Sequence, residues 1–151
     1  ENMTPDEFEN YTGLHSFGDL ELKYALYPHK GDWVEGKVLQ EAYDFKVPYR
    51  IIQGVAKKGS LPPVNSFISI NDERLMISAL TQSDDGKAFV VRFWNSSDDA
   101  VKAKVKINLP VKSVSKVRMD ETETIENVKF SGGECEVSVK GAEVVTLRLE
   151  K

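Results

Sequence analysis

Groups that could hold a metal or attack carbon are scarce in this sequence. It carries 2 histidines, His15 and His29, and 1 cysteine, Cys135, in 151 residues. A metal centre needs several His, Cys, Asp or Glu ligands converging at set spacings, and no HExxH, HxH or CxxC spacing occurs. A catalytic serine would have to recruit one of the two histidines, and no Gly-x-Ser-x-Gly elbow is present. The sequence therefore argues against nucleophilic or metal catalysis by this chain alone.

The remaining candidates lie in two places. His29 and Asp32 fall within the stretch Tyr24-Ala25-Leu26-Tyr27-Pro28-His29-Lys30-Gly31-Asp32-Trp33. They could face a ligand. The alternative is structural: Pro28 shapes the turn, Asp32 caps a helix, and His29 hydrogen-bonds a nearby carbonyl. The second place is Val90-Val91-Arg92-Phe93-Trp94. Arg92 could reach a polar ligand or pair with a carboxylate, as a half-buried arginine usually does. Trp33 and Trp94 offer flat faces for a ligand ring, yet such tryptophans more often anchor a core or an interface. Cys135 reads as a small apolar residue on the inner face of a strand.

The elements that must position these residues are mostly strands. Leu20, Leu22, Tyr24 and Leu26 alternate with Glu21, Lys23, Ala25 and Tyr27, which predicts a strand with one buried face, ended by Pro28. Asp32 with Glu35 has the order of a capping box, and Val34, Val38, Leu39, Ala42 and Phe45 lie on one helical face, so a helix is predicted from there to Val47-Pro48. Tyr49 to Val55 reads as a short strand. Leu75 to Thr81 and Lys87 to Trp94 form a hairpin about Asp84-Asp85-Gly86. Both faces of the second strand are apolar, which makes it central. Val101 to Leu109 alternates with Lys102, Lys104 and Lys106, a half-exposed strand whose lysines discourage edge pairing. Val111 to Met119, Thr124 to Phe130, Glu134 to Lys140 and Glu143 to Leu149 complete the series.

This rhythm predicts an all-β antiparallel β-sandwich with one short helix near the N-terminus. Residues 1–19 read as a linker or part of a preceding region, and residues 20–151 as the sandwich domain. A first residue of Glu rather than Met suits a portion of a longer chain.

Composition narrows the function class. Apolar residues make up 40% and charged residues 29%, with a net charge of −4 and no basic stripe, so neither nucleic acid nor membrane is the expected partner. One cysteine cannot form an internal disulfide, which favours a reducing, cytoplasmic setting.

The stretch from Tyr24 to Trp33 resembles the "YAL-PH-GDW" signature of glycoside hydrolase family 38, the α-mannosidases. Tyr24, Pro28, Gly31, Asp32 and Trp33 fall at the expected places. Glu41-Ala42-Tyr43, Val47-Pro48, Ser66 to Ile70, Leu75 to Leu80, Val90 to Asn95 and Val144 to Leu149 resemble later parts of such chains. The resemblance covers roughly residues 16 to 151. It implies a non-catalytic C-terminal β domain of an α-mannosidase. The parent would hydrolyse α-mannosidic bonds with retention, using two carboxylates and a divalent metal, commonly zinc. That machinery lies in a catalytic domain absent from this chain, so no catalytic residue or cofactor is assigned here. His29, Arg92 and Trp94 are the substrate-cleft candidates. The implied partners are the catalytic domain of the same chain, mannosides through the parent enzyme, and a second copy in a homo-oligomer. The alternative is a free-standing carbohydrate-binding sandwich, which needs exposed aromatics in a row or groove.

Overall fold

The computed structural model describes residues 4–6, 19–55 and 58–151. Most of the residues read as a linker, His15 among them, lie outside this description.

Nine strands occupy the described chain from Ile68 onward: β1 (Ile68–Ile70), β2 (Leu75–Gln82), β3 (Ala88–Asn95), β4 (Val101–Ile107), β5 (Ser113–Val117), β6 (Thr124–Val128), β7 (Phe130–Ser131), β8 (Glu134–Val139) and β9 (Val144–Glu150). They form a four-stranded sheet, β1-β4-β8-β7, and a five-stranded sheet, β2-β3-β9-β5-β6. Every pairing is antiparallel. The all-β sandwich expected from the strand rhythm is therefore the fold.

The core lies between the sheets. Val91 and Phe93 of β3, Val145, Leu147 and Leu149 of β9, and Val114 of β5 meet Val101, Ala103, Val105 and Ile107 of β4 and Cys135, Val137 and Val139 of β8. Period-two alternation places these side chains on one face of each strand. β4 shows it most plainly, with buried and exposed residues in strict turn. β3 is central as expected, between β2 and β9, and Ala88 and Val90 are buried on its other face.

The β2–β3 hairpin turns where Asp84-Asp85-Gly86 was expected. Gly86 has φ +73°, a left-handed conformation that a side chain disfavours. Its N–H donates to the Ser83 carbonyl at 2.9 Å. The Asp85 carboxylate accepts from the Ser83 hydroxyl at 2.6 Å and from the Lys87 N–H at 3.0 Å.

Four local expectations require correction. Leu20 to Tyr27 is not a strand, and its apolar face is exposed. Tyr49 to Val55 is likewise strandless and exposed. The reason is shared: alternation reports which side chains want burial, whereas a strand also needs a neighbour for its N–H and C=O groups. Both sheets are assembled from residues 68–150. β4, with its lysines, is no edge; β1 and β8 flank it, so its lysines mark a solvent face.

The fourth correction concerns the helix, α1, which spans Val38–Lys46 and starts later than predicted. The turn opened by Asp32 closes first. The Val38 N–H donates to the Trp33 carbonyl at 3.0 Å and the Lys37 N–H to the Val34 carbonyl at 3.1 Å. Lys37 sits at φ 54°, the left-handed position of a Schellman closure. The helix begins anew at Val38 and ends where expected, the Val47 N–H donating to the Tyr43 carbonyl at 2.8 Å.

Candidate functional site

The signature stretch builds a compact turn. The Asp32 carboxylate accepts from the backbone N–H groups of Val34 and Glu35, each at 2.8 Å, the geometry of a helix cap. Gly31 has φ +72°, and a side chain there would collide with the Glu35 carboxylate. A side chain at Gly36 would run into the His29 ring. His29 is thus packed against a glycine, with Tyr27 stacked on it at a centroid distance of 6.0 Å and 23° between planes. Its Nδ1 lies 3.4 Å from the Lys30 carbonyl, in line with the structural role considered for it.

Trp33 is 46% exposed. It lines a cavity of about 280 Å³, with Val34 and Leu39 beside it and Arg74, Met76 and Ser96 on the sandwich side. Lys37 pairs with Glu73 across the same junction at 2.7 Å. Both of these side chains are exposed, so the pair adds little stability. Arg74 is held in a fork by Asp72, with Nε at 2.9 Å and Nη2 at 2.7 Å from its two oxygens. The Arg74 guanidinium keeps the Asp72 carboxyl below the ordinary carboxylate range, against the opposing effect of burial.

Arg92 and Trp94 project from the outer face of β3. Arg92 Nε donates to the Thr146 hydroxyl at 3.3 Å, and Nη2 donates to the Met119 carbonyl at 2.8 Å. The expected carboxylate partner is replaced by a hydroxyl and a carbonyl, which fastens the loop after β5 over the sheet. Trp94 is half-buried and stands opposite Met76 in the β2–β3 register. The three cleft candidates thus have separate surroundings: His29 beside Tyr27 and Gly36, Arg92 beside Thr146 and Met119, Trp94 beside Met76.

Two polar centres escaped the sequence reading. Arg148 donates to Asp85 Oδ2 at 2.7 Å and to Glu150 Oε1 at 2.6 Å, and lies 3.6 Å from Glu121 Oε2. Glu121 itself is left-handed, at φ 60°. Asp85 is held far below the ordinary range, first by the Ser83 hydroxyl, then by the Lys87 N–H and Arg148. The second centre is Asn95, fully buried at the end of β3. Its Nδ2 donates to the carbonyls of Asp99 at 2.7 Å and Lys140 at 3.0 Å, while its Oδ1 accepts from the Ser97 N–H at 3.0 Å and hydroxyl at 2.9 Å. It ties the β3–β4 turn to the β8–β9 turn. A signal was present in each case: Arg148 interrupts an apolar run, and Asn95 precedes two serines as in an Asx turn.

Chemically, these charges hold turns and loops together. Burial pushes Glu143 up, but Lys116 at 2.7 Å and the Lys140 N–H at 2.7 Å prevail and lower it. Burial pushes the Cys135 thiol up to about 11. Among the described residues, no group of three or more His, Cys, Asp or Glu side chains is placed to hold a metal ion.

The fold and these centres define a two-sheet antiparallel β-sandwich domain with a capped turn and short helix ahead of it. Residues 74–147 match the glycosyl hydrolases family 38 C-terminal beta sandwich domain. It is similar to a putative mannosylglycerate hydrolase from Halalkalibacterium halodurans, 28% identical over 136 residues, which cover 89% of this chain and 14% of that protein. It is also similar to alpha-mannosidase G from Dictyostelium discoideum, 29% identical over 80 residues, covering 52% of this chain and 7% of that protein. The chain thus spans a small fraction of the length of these relatives.

Proposed function

We propose that this chain is the non-catalytic C-terminal β region of a longer, metal-dependent α-mannosidase-type glycoside hydrolase. It braces the catalytic domain of the same polypeptide and contributes at most one wall of the mannoside cleft. The observation that carries this reading is the match of residues 74–147 to the family's C-terminal sandwich. The chemistry of the described side chains supports it, since Asp72, Asp85 and Glu143 are engaged by Arg74, Arg148 and Lys116.

The divalent metal of such an enzyme, commonly zinc, finds no fitting ligand set among the described residues, so no step is assigned to it here. The enzyme works in the cytoplasm, a setting that suits the free, buried Cys135. No helix among the described residues is long and apolar enough to cross a membrane. Self-association of the parent enzyme belongs to the same proposal.

The test is hydrolysis of an aryl α-mannoside with added divalent metals, by this chain and by the chain extended upstream through the region its relatives carry. The expected result is an inactive short chain and an active long one. Turnover by the short chain would overturn the reading.

A further inference from the structure

We infer that residues 20–46 form a strand-and-helix unit that docks into a β-sheet upstream in the same polypeptide, the strand adding to an open sheet edge. This rests on the reading that the chain is part of a longer glycosidase.

Residues 20–26 have the alternation of a half-buried strand, yet Leu22 is 84% and Leu26 91% exposed. α1 carries its apolar residues on one face, yet none of its residues is buried. An amphipathic helix gains its stability by burying that face. The two uncovered surfaces adjoin. Leu26, Val38, Ala42 and Phe45 line one groove of about 780 Å³, with Lys23 and Glu41 among its charged residues.

The occupant follows from the relatives. The match to the Halalkalibacterium halodurans protein covers 89% of this chain, which takes in most of residues 20–66, and 14% of that protein. The family match begins at residue 74, so the exposed unit lies outside it but inside the longer protein's match. Adding a strand to a sheet edge satisfies the backbone groups of residues 20–26 and gives their apolar face a neighbour in one step.

Hydrogen exchange tests this on the 151-residue chain and on the upstream-extended chain. In the short chain, amides 20–26 should exchange near the unprotected rate while those of β3 and β9 are slow. In the long chain, amides 20–26 should slow by about 100-fold or more. The double variant Leu22→Asp, Leu26→Asp should leave the short chain's melting unchanged and abolish that protection in the long chain. Unprotected amides 20–26 in the long chain overturn the inference. So does a short chain that protects them by dimerising, because the occupant is then a second copy. Mannosidase activity of the long chain is a separate readout: an inactive chain with protected amides overturns the catalytic reading alone.

Discussion

Residues 20–66 and residues 68–150 have similarly apolar sequence patterns and opposite fates. In the second region nearly every alternating apolar residue finds the facing sheet, and Phe93, Val105, Leu147 and Leu149 are fully buried. In the first, Leu22, Tyr24, Tyr49 and Ile51 lie in solvent. The pattern in the sequence is alike; what differs is the presence of partner strands. A hydrophobic pattern states a demand for burial, and only the rest of the molecule can meet it.

The strongest test of this contrast is truncation in each region. Phe93→Ala should cost about 3–5 kcal/mol in urea unfolding, from lost burial plus a cavity between the sheets. Leu22→Ala or Ile51→Ala should move the same transition by no more than about 0.5 kcal/mol. Comparable losses at Phe93 and Leu22 would show that the first region packs on the sandwich.

Next in size is Asn95→Ala. It leaves the Asp99 and Lys140 carbonyls without the donor described above, and should cost about 2 kcal/mol. An unfolding free energy equal to that of the unaltered chain would remove Asn95 from the support of these turns.

Acid should act on the sandwich through its engaged carboxylates. Asp72 and Glu143 titrate lower in the folded chain than unfolded. Between the two values the unfolded state binds more protons, so this stability is complete above the unfolded carboxylate range, about pH 4, and is lost as pH falls through the folded values. The melting temperature should therefore drop below about pH 4. A level profile down to about pH 2 would contradict it.

The smallest effect is expected at Asp32→Ala. Two cap hydrogen bonds disappear, worth about 1 kcal/mol to the turn. Because the turn belongs to the uncovered region, the change should appear as a weaker helical circular dichroism signal, with sandwich melting unmoved.

The fold was largely legible because β3, β4, β8 and β9 each combine period-two alternation with turn residues at their ends. The failures came where a residue's partner is remote. Leu20 to Tyr27 had the pattern without a sheet. Asp32 was read as the cap of the helix running to Val47-Pro48, and it does cap a turn, but the left-handed Lys37 ends that turn before α1 starts. The candidate site was less legible. Arg92 was singled out correctly as half-buried, yet its partners, Thr146 and the Met119 carbonyl, lie 54 and 27 residues away in sequence. Beside its strand neighbour Glu150, Arg148 gathers Asp85 and Glu121 from separate segments, and no local spacing announces that meeting.

The burial of Cys135 has a practical consequence. It stands in β8 with Val105 of β4 on one side and Phe130 of β7 on the other. Burial pushes its thiol up to about 11, which leaves little of the reactive thiolate at neutral pH. Alkylation must therefore wait for the strands around it to part. The rate of that single labelling event would serve as a clock for the opening of the four-stranded sheet, built into the chain without any added probe.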